Sequence, residues 1–181
     1  VGQWVYAHRT SLSGVHTIWL GVASINGAQV DRKLISDVGE NAYFPDLSVM
    51  GHYFGVVWLD STPASPAIRF GGGTLDGNSI NAGRSTQLSA NLIMDGDFPM
   101  PSITSGNGLV AVGWPDAFSG GLTFLTLQAE SEVILGDLVL EAFGHVSDLH
   151  LAPWSQGFAA VWREGSDMGS EVWFMGFGGC Q

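Results

Sequence analysis

The sequence predicts an all-β chain assembled from copies of one four-strand unit. Three observations carry this. A segment recurs at intervals of about fifty residues and ends each time in an aromatic anchor. Short apolar runs are bounded by glycine and proline. No stretch has helical periodicity.

The recurring segment is clearest between Pro45 and Trp58, PDLSVMGHYFGVVW, and between Pro101 and Trp114, PSITSGNGLVAVGW. Leu149 to Trp162, LHLAPWSQGFAAVW, aligns with the first without a gap, matching Leu47 with Leu151, Phe54 with Phe158 and Val57 with Val161. Gln3 to Tyr6 reads as the end of the same segment, with Tyr6 in the anchor position. The anchors Tyr6, Trp58, Trp114 and Trp162 are 52, 56 and 48 residues apart.

Each of the three tryptophan anchors is followed by a polar loop: LDSTPASP, PDAFSGG and REGSDMGS. An apolar strand comes next in each unit: His16 to Ile25, Ala67 to Leu75, Gly121 to Leu127 and Glu171 to Phe177. Two of these end in Asn26-Gly27 and Asp76-Gly77, dipeptides whose backbones accept the positive φ of a tight hairpin. A short fourth strand is predicted at Lys33 to Ser36, Thr86 to Ser89 and Asp137 to Glu141. The glycine run Gly71-Gly72-Gly73 falls inside a strand pattern, so it marks a bulge or a close approach and not a phosphate loop.

Four antiparallel strands in a unit of this length is the arithmetic of a propeller blade, which needs neighbours on both faces. The expected fold is therefore a β-propeller or a propeller fragment of about 3.5–4 blades. It forms a single repeat domain over residues 1–181, with approximate blades 1–44, 45–100, 101–148 and 149–181. The first blade lacks its first strand and the last lacks its fourth. Bare sheet edges of that kind predict a further polypeptide or a second copy of the chain. Cys180, the single cysteine, is placed to fasten such a partner by an intermolecular disulfide.

Composition narrows the functional classes. The chain is 45% hydrophobic and only 13% charged, which argues against disorder. Its net charge of −11 repels phosphate backbones and argues against nucleic-acid binding. No apolar run approaches the roughly 18 residues of a membrane helix, so membrane insertion is not expected.

The run from Pro45 and Leu47 through Tyr53 to Asp60, then Ile68, Phe70 and Leu75 to Asn78, resembles the propeller-type repeats of large secreted bacterial proteins. The resemblance spans essentially the whole chain. It implies a propeller fold and a secreted setting, and no activity. The chain departs from other propeller families: it has no Gly-His and Trp-Asp signature, no kelch double glycine at a fixed offset and no sialidase Asp box.

Four sets of residues are candidates for chemistry. Asp60, Asp116 and Glu164 fall one or two positions after successive anchors, with His8 in the corresponding place near Tyr6. On repeated loops such acids would ring one face and bind a cation or a sugar hydroxyl, or else hydrogen-bond their own turns. Asp95 and Asp97 flank Gly96 in an acidic turn and offer oxygen ligands to Ca²⁺, but one such pair is far short of a calcium site, so no cofactor is expected and Ca²⁺ is the only candidate. His8 and His16 are separated by a spacing that would let them meet across a hairpin as part of a copper or zinc site. Trp154 stands in a turn, where an aromatic ring suits stacking on a sugar or on a partner protein.

The expected function is a non-enzymatic secreted binding or scaffold module that recognises protein or glycan through its loops. Two alternatives remain at this stage. One is a glycoside hydrolase-like enzyme with carboxylates near the propeller axis. The other is a calcium- or copper-binding surface protein.

Overall fold

The structure is a computed structural model that describes residues 3–62, 66–89, 92, 98–116, 120–142, 144–166 and 169–178. Among these residues there are fifteen strands and no helix. The chain forms two compact units, residues 1–91 and 92–181.

The first unit holds two antiparallel sheets. In one, β1 (Gln3–Leu12), β2 (Val15–Ser24) and β3 (Gln29–Leu34) pair in sequence order. In the other, β4 (Ala42–Met50), β5 (Tyr53–Asp60), β6 (Ala67–Asp76) and β7 (Ser79–Ala82) do the same, and β8 (Thr86–Gln87) also pairs with β6. The second unit repeats the plan. Its sheets are β9 (Ser102–Gly106), β10 (Leu109–Asp116), β11 (Gly121–Gln128) and β12 (Ile134–Glu141), then β13 (His145–Trp154), β14 (Gly157–Ser166) and β15 (Gly169–Phe177). The predicted hairpin glycines have the required backbone, with Gly27 at φ 84° and Gly77 at φ 57°.

Several elements differ from expectation. β1 runs well past Tyr6 to Leu12, because Ser13 and Gly14 turn the chain directly into β2. In the second sheet the predicted fourth strand is split, since the Asp76-Gly77 hairpin starts β7 at once and β8 returns to β6 further along. β4 starts at Ala42, ahead of the Pro45 expected to open it. Proline is tolerated inside this strand because Phe44 and Pro45 together face the single residue Trp58, in a bulge where no ladder bond is asked of the proline nitrogen. The same bulge recurs in β13, where Asp148 and Leu149 lie opposite Trp162. The first residue of each bulge is left-handed, Phe44 at φ 51° and Asp148 at φ 53°. The first strand thus bows around the anchor indole in both sheets.

The cores lie between sheets. In the first unit Ile18, Leu20 and Val22 of β2 pack with Phe54, Val56 and Trp58 of β5. In the second, Leu122 and Phe124 of β11 pack with Leu149, Ala160 and Trp162. Alternate residues of each strand point to one face, so within each unit the anchor of the second sheet meets the apolar strand of the first. The glycine run is a close approach: a Cβ on Gly71 would meet Ile35 and the Trp58 ring, and one on Gly73 would meet the backbone of Asn81. The pairing of β5 with β6 runs through all three glycines without a shift.

Candidate functional site

Three of the four acidic-loop candidates can be compared, since Asp60, Asp116 and Glu164 each lie two residues beyond an anchor. Asp60 is buried and turned inward. Its Oδ1 accepts from the Asn41 and Thr62 amides at 3.2 and 3.0 Å and from the Thr62 hydroxyl at 2.6 Å. Its Oδ2 lies 3.4 Å from the Arg69 guanidinium. Glu164 accepts from the Trp162 indole N–H at 2.9 Å. Asp116 is half-buried at the end of β10.

The carboxylate beside Asp60 was not singled out in the sequence. It is Glu40, buried in the turn before β4. Glu40 Oε2 accepts from the Asp37 amide at 3.0 Å and the Trp58 indole at 3.3 Å, while Oε1 lies 3.3 Å from Arg69 Nε. That last contact is an ion pair by distance, with the Nε–H not aimed as a hydrogen bond. The Ser85 hydroxyl adds a weak contact to Oε1 at 3.4 Å. All four oxygens of the pair are engaged by the protein itself, an arrangement that braces the second sheet.

Burial pushes the Glu40 carboxyl above its ordinary value of 4.5, opposed by the Asp37 amide and by Arg69. The folded chain therefore holds this proton at a pH where the unfolded chain has released it. The stabilising contribution is complete below the unfolded pKa and is lost as pH rises through the folded one. Glu40→Gln removes the titration, so the melting temperature of the variant relative to the parent should be higher at pH 7 than at pH 4. A difference that is flat across that range in differential scanning fluorimetry would refute this.

The structure does not bring His8 and His16 together. His8 is opposite Trp19 and His16 opposite Ser11, with the Arg9–Ile18 and Thr10–Thr17 pairs between them, and that three-step separation places the two rings on opposite faces of the sheet. The His16 ring packs against Tyr43, tilted, with the centroids 4.5 Å apart. His8 lies 5.5 Å from Tyr6, and burial, aided by Arg32, holds it below its usual value of 6.5. Among the described residues no three His, Cys, Asp or Glu side chains group to hold a metal ion. Asp95, Asp97 and Cys180 lie outside the described residues.

Trp154 does stand on a distinctive surface. It closes β13 and is 50% exposed, with its ring lying over Gly176 of β15. The register puts it on the same face as Val161, Val172 and Phe174. That face is the one a following sheet would cover, as the repeat makes plain. The residues opposite the anchors Tyr6, Trp58, Trp114 and Trp162 are Gly21, Arg69, Thr123 and Trp173. The apolar pairs flanking them are Leu20 and Val22, Ile68 and Phe70, Leu122 and Phe124, and Val172 and Phe174. The first three pairs are 0 to 1% exposed, whereas Val172 is 76% exposed and Phe174 70%. The sequence held the signal for this, since the pair can be counted off from each anchor, but only the register shows which face it occupies.

No protein-family model matches the sequence, and no curated protein matches it. Among solved structures the chain is similar to the β-propeller domain of the Trilobed protease from Pyrococcus furiosus. The identity is 12% and the TM-score 0.50, over 97% of this chain and 52% of that one. It is also similar to the acylaminoacyl peptidase of Pyrococcus horikoshii, at 12% identity and a TM-score of 0.47, over 97% of this chain and 29% of that one. The chain thus spans about half the length of the first of these and less of the second. The first likeness shows the fold, an all-β chain of propeller-type antiparallel sheets.

Proposed function

We propose that the chain is a non-enzymatic binding or scaffold module of a secreted protein, and that what it recognises is protein. The observation that carries this is the face around Trp154, where Val172 and Phe174 are mostly exposed while their equivalents in the other three sheets are buried. Aromatic and aliphatic side chains gathered on one rigid sheet are the anchors of protein interfaces. A sugar site would pair the stacking ring with fixed polar groups, whereas the core of this face is apolar, its Arg163 is held 2.9 Å from Asp148, and His150 adds a further polar side chain. The secreted setting rests on the resemblance of the repeat to those of large secreted bacterial proteins.

A displayed library of small protein domains and a glycan array, both probed with the purified chain, test this reading. The expected result is protein ligands whose affinity falls by about tenfold or more on Trp154→Ala or Phe174→Lys. Glycan binding that quenches Trp154 fluorescence would overturn the reading in favour of a lectin, and ligands indifferent to both substitutions would move the site elsewhere.

A further inference from the structure

We propose that the exposed face of the fourth sheet is a joint between copies of this chain, in which it receives the first sheet of a second copy, head to tail. The inference rests on the protein-binding reading of that face and names its partner.

Both units show what such a face accepts. Leu20 and Val22 share a core with the Trp58 anchor of the next sheet, and Leu122 and Phe124 share one with Trp162. A fitting partner for Val172 and Phe174 is therefore a sheet of the same repeat, presenting an aromatic anchor toward its predecessor. Two anchor faces have no predecessor in their own unit, and of these the Trp114 anchor is buried while the face around Tyr6 is open. Tyr6 occupies the anchor position of the first sheet, on the face opposite the buried Leu20 and Val22. Its ring lies over Gly21, as Trp154 lies over Gly176. On the same face are Trp4, 62% exposed, and Trp19, with the Arg32 guanidinium 4.1 Å above its ring.

The two faces complement each other. One offers aromatic rings in the position that the other sheets use to cover an apolar pair, and the other offers an apolar pair uncovered. Charge does not oppose the match, because Arg163 on the fourth sheet is already paired with Asp148 and does not confront Arg32 as a free cation. A contact between unlike faces is heterologous, and it generates a closed assembly when the rotation closes.

The test is native mass spectrometry and sedimentation equilibrium of the full chain in reductant, so that Cys180 cannot contribute. The expected result is a two-copy species at concentrations near 100 μM, roughly the range where modest interfaces are populated. Phe174→Lys and Val172→Lys on one face, and Trp4→Asp on the other, should each give folded monomers, with circular dichroism as the check on folding. Mixing the Phe174→Lys and Trp4→Asp chains should restore a two-copy species, because one of its joints then unites two unaltered faces. A folded parent that stays monomeric overturns the proposal. So does a dimer that Phe174→Lys breaks and Trp4→Asp does not, which would mean two fourth sheets meeting face to face. A monomeric parent whose displayed ligands still depend on Phe174 would sink the copy-to-copy joint alone, whereas ligands indifferent to Phe174 would sink the function proposed above.

Discussion

Trp58→Ala should lower the stability of the chain by about 4 kcal/mol, a drop of roughly 15 °C or more in melting temperature for a unit of this size. The indole is fully buried and belongs to the core that joins the two sheets of the first unit. Its loss removes a large apolar surface from that core. The bulge of Phe44 and Pro45 is shaped around it and cannot readily collapse into the space. The substitution also withdraws the N–H that Glu40 accepts, adding the cost of an under-satisfied buried carboxylate. Trp58→Phe should restore much of the packing and none of that hydrogen bond, so it should fall between the two. Urea titrations of the three chains decide the matter, and an alanine variant within about 1 kcal/mol of the parent would show that the indole is not what joins the sheets.

Arg69→Met should cost about 3 kcal/mol near neutral pH. The guanidinium is the shared cation of two carboxylates whose side chains are 7% and 3% exposed, Glu40 and Asp60. Removing one partner from a buried ion pair strands the charges that remain, and the figure stands at the low end of such losses because the Arg69 side chain keeps 23% exposure. Arg69 also holds the Glu40 pKa down against burial, so the methionine variant should take up a proton there at higher pH than the parent does. Its deficit should therefore be largest at neutral pH and shrink on acidification. A deficit that grows as pH falls would show that another group carries the effect.

Much of the fold is written plainly in the residues. The anchors Trp58 and Trp162 are core side chains, the Asn26-Gly27 and Asp76-Gly77 hairpins turn where predicted, and Gly71 and Gly73 mark close approaches. What is less legible depends on pairing register. Pro45 reads locally as a strand opener, and only its position opposite Trp58 explains how it stands inside β4. His8 and His16 flank a turn and suggest a meeting, yet their separation across the register is odd and sends them to opposite faces. Glu40 escaped notice because it follows no anchor. It reaches Trp58 through space, from the connection between two sheets. Val172 and Phe174 look like any other apolar strand residues until the burial of their three counterparts is set beside their exposure.

One feature of the topology bears on how the chain comes to be folded. In every sheet the main hydrogen-bonded neighbours are also neighbours along the chain. Pairing therefore closes mostly short loops, and local closure of this kind costs little chain entropy. Each sheet can form as its last strand emerges from the ribosome, with no need to wait for distant sequence. Within each unit the apolar pair of the first sheet remains open until the second sheet arrives to conceal it. Leu20 and Val22 thus wait for β5, and Leu122 and Phe124 for β14. Synthesis in sequence order keeps the sticky surface of the nascent chain small and brief. A pause between sheets would prolong it, so translation speed at these junctions becomes a determinant of yield.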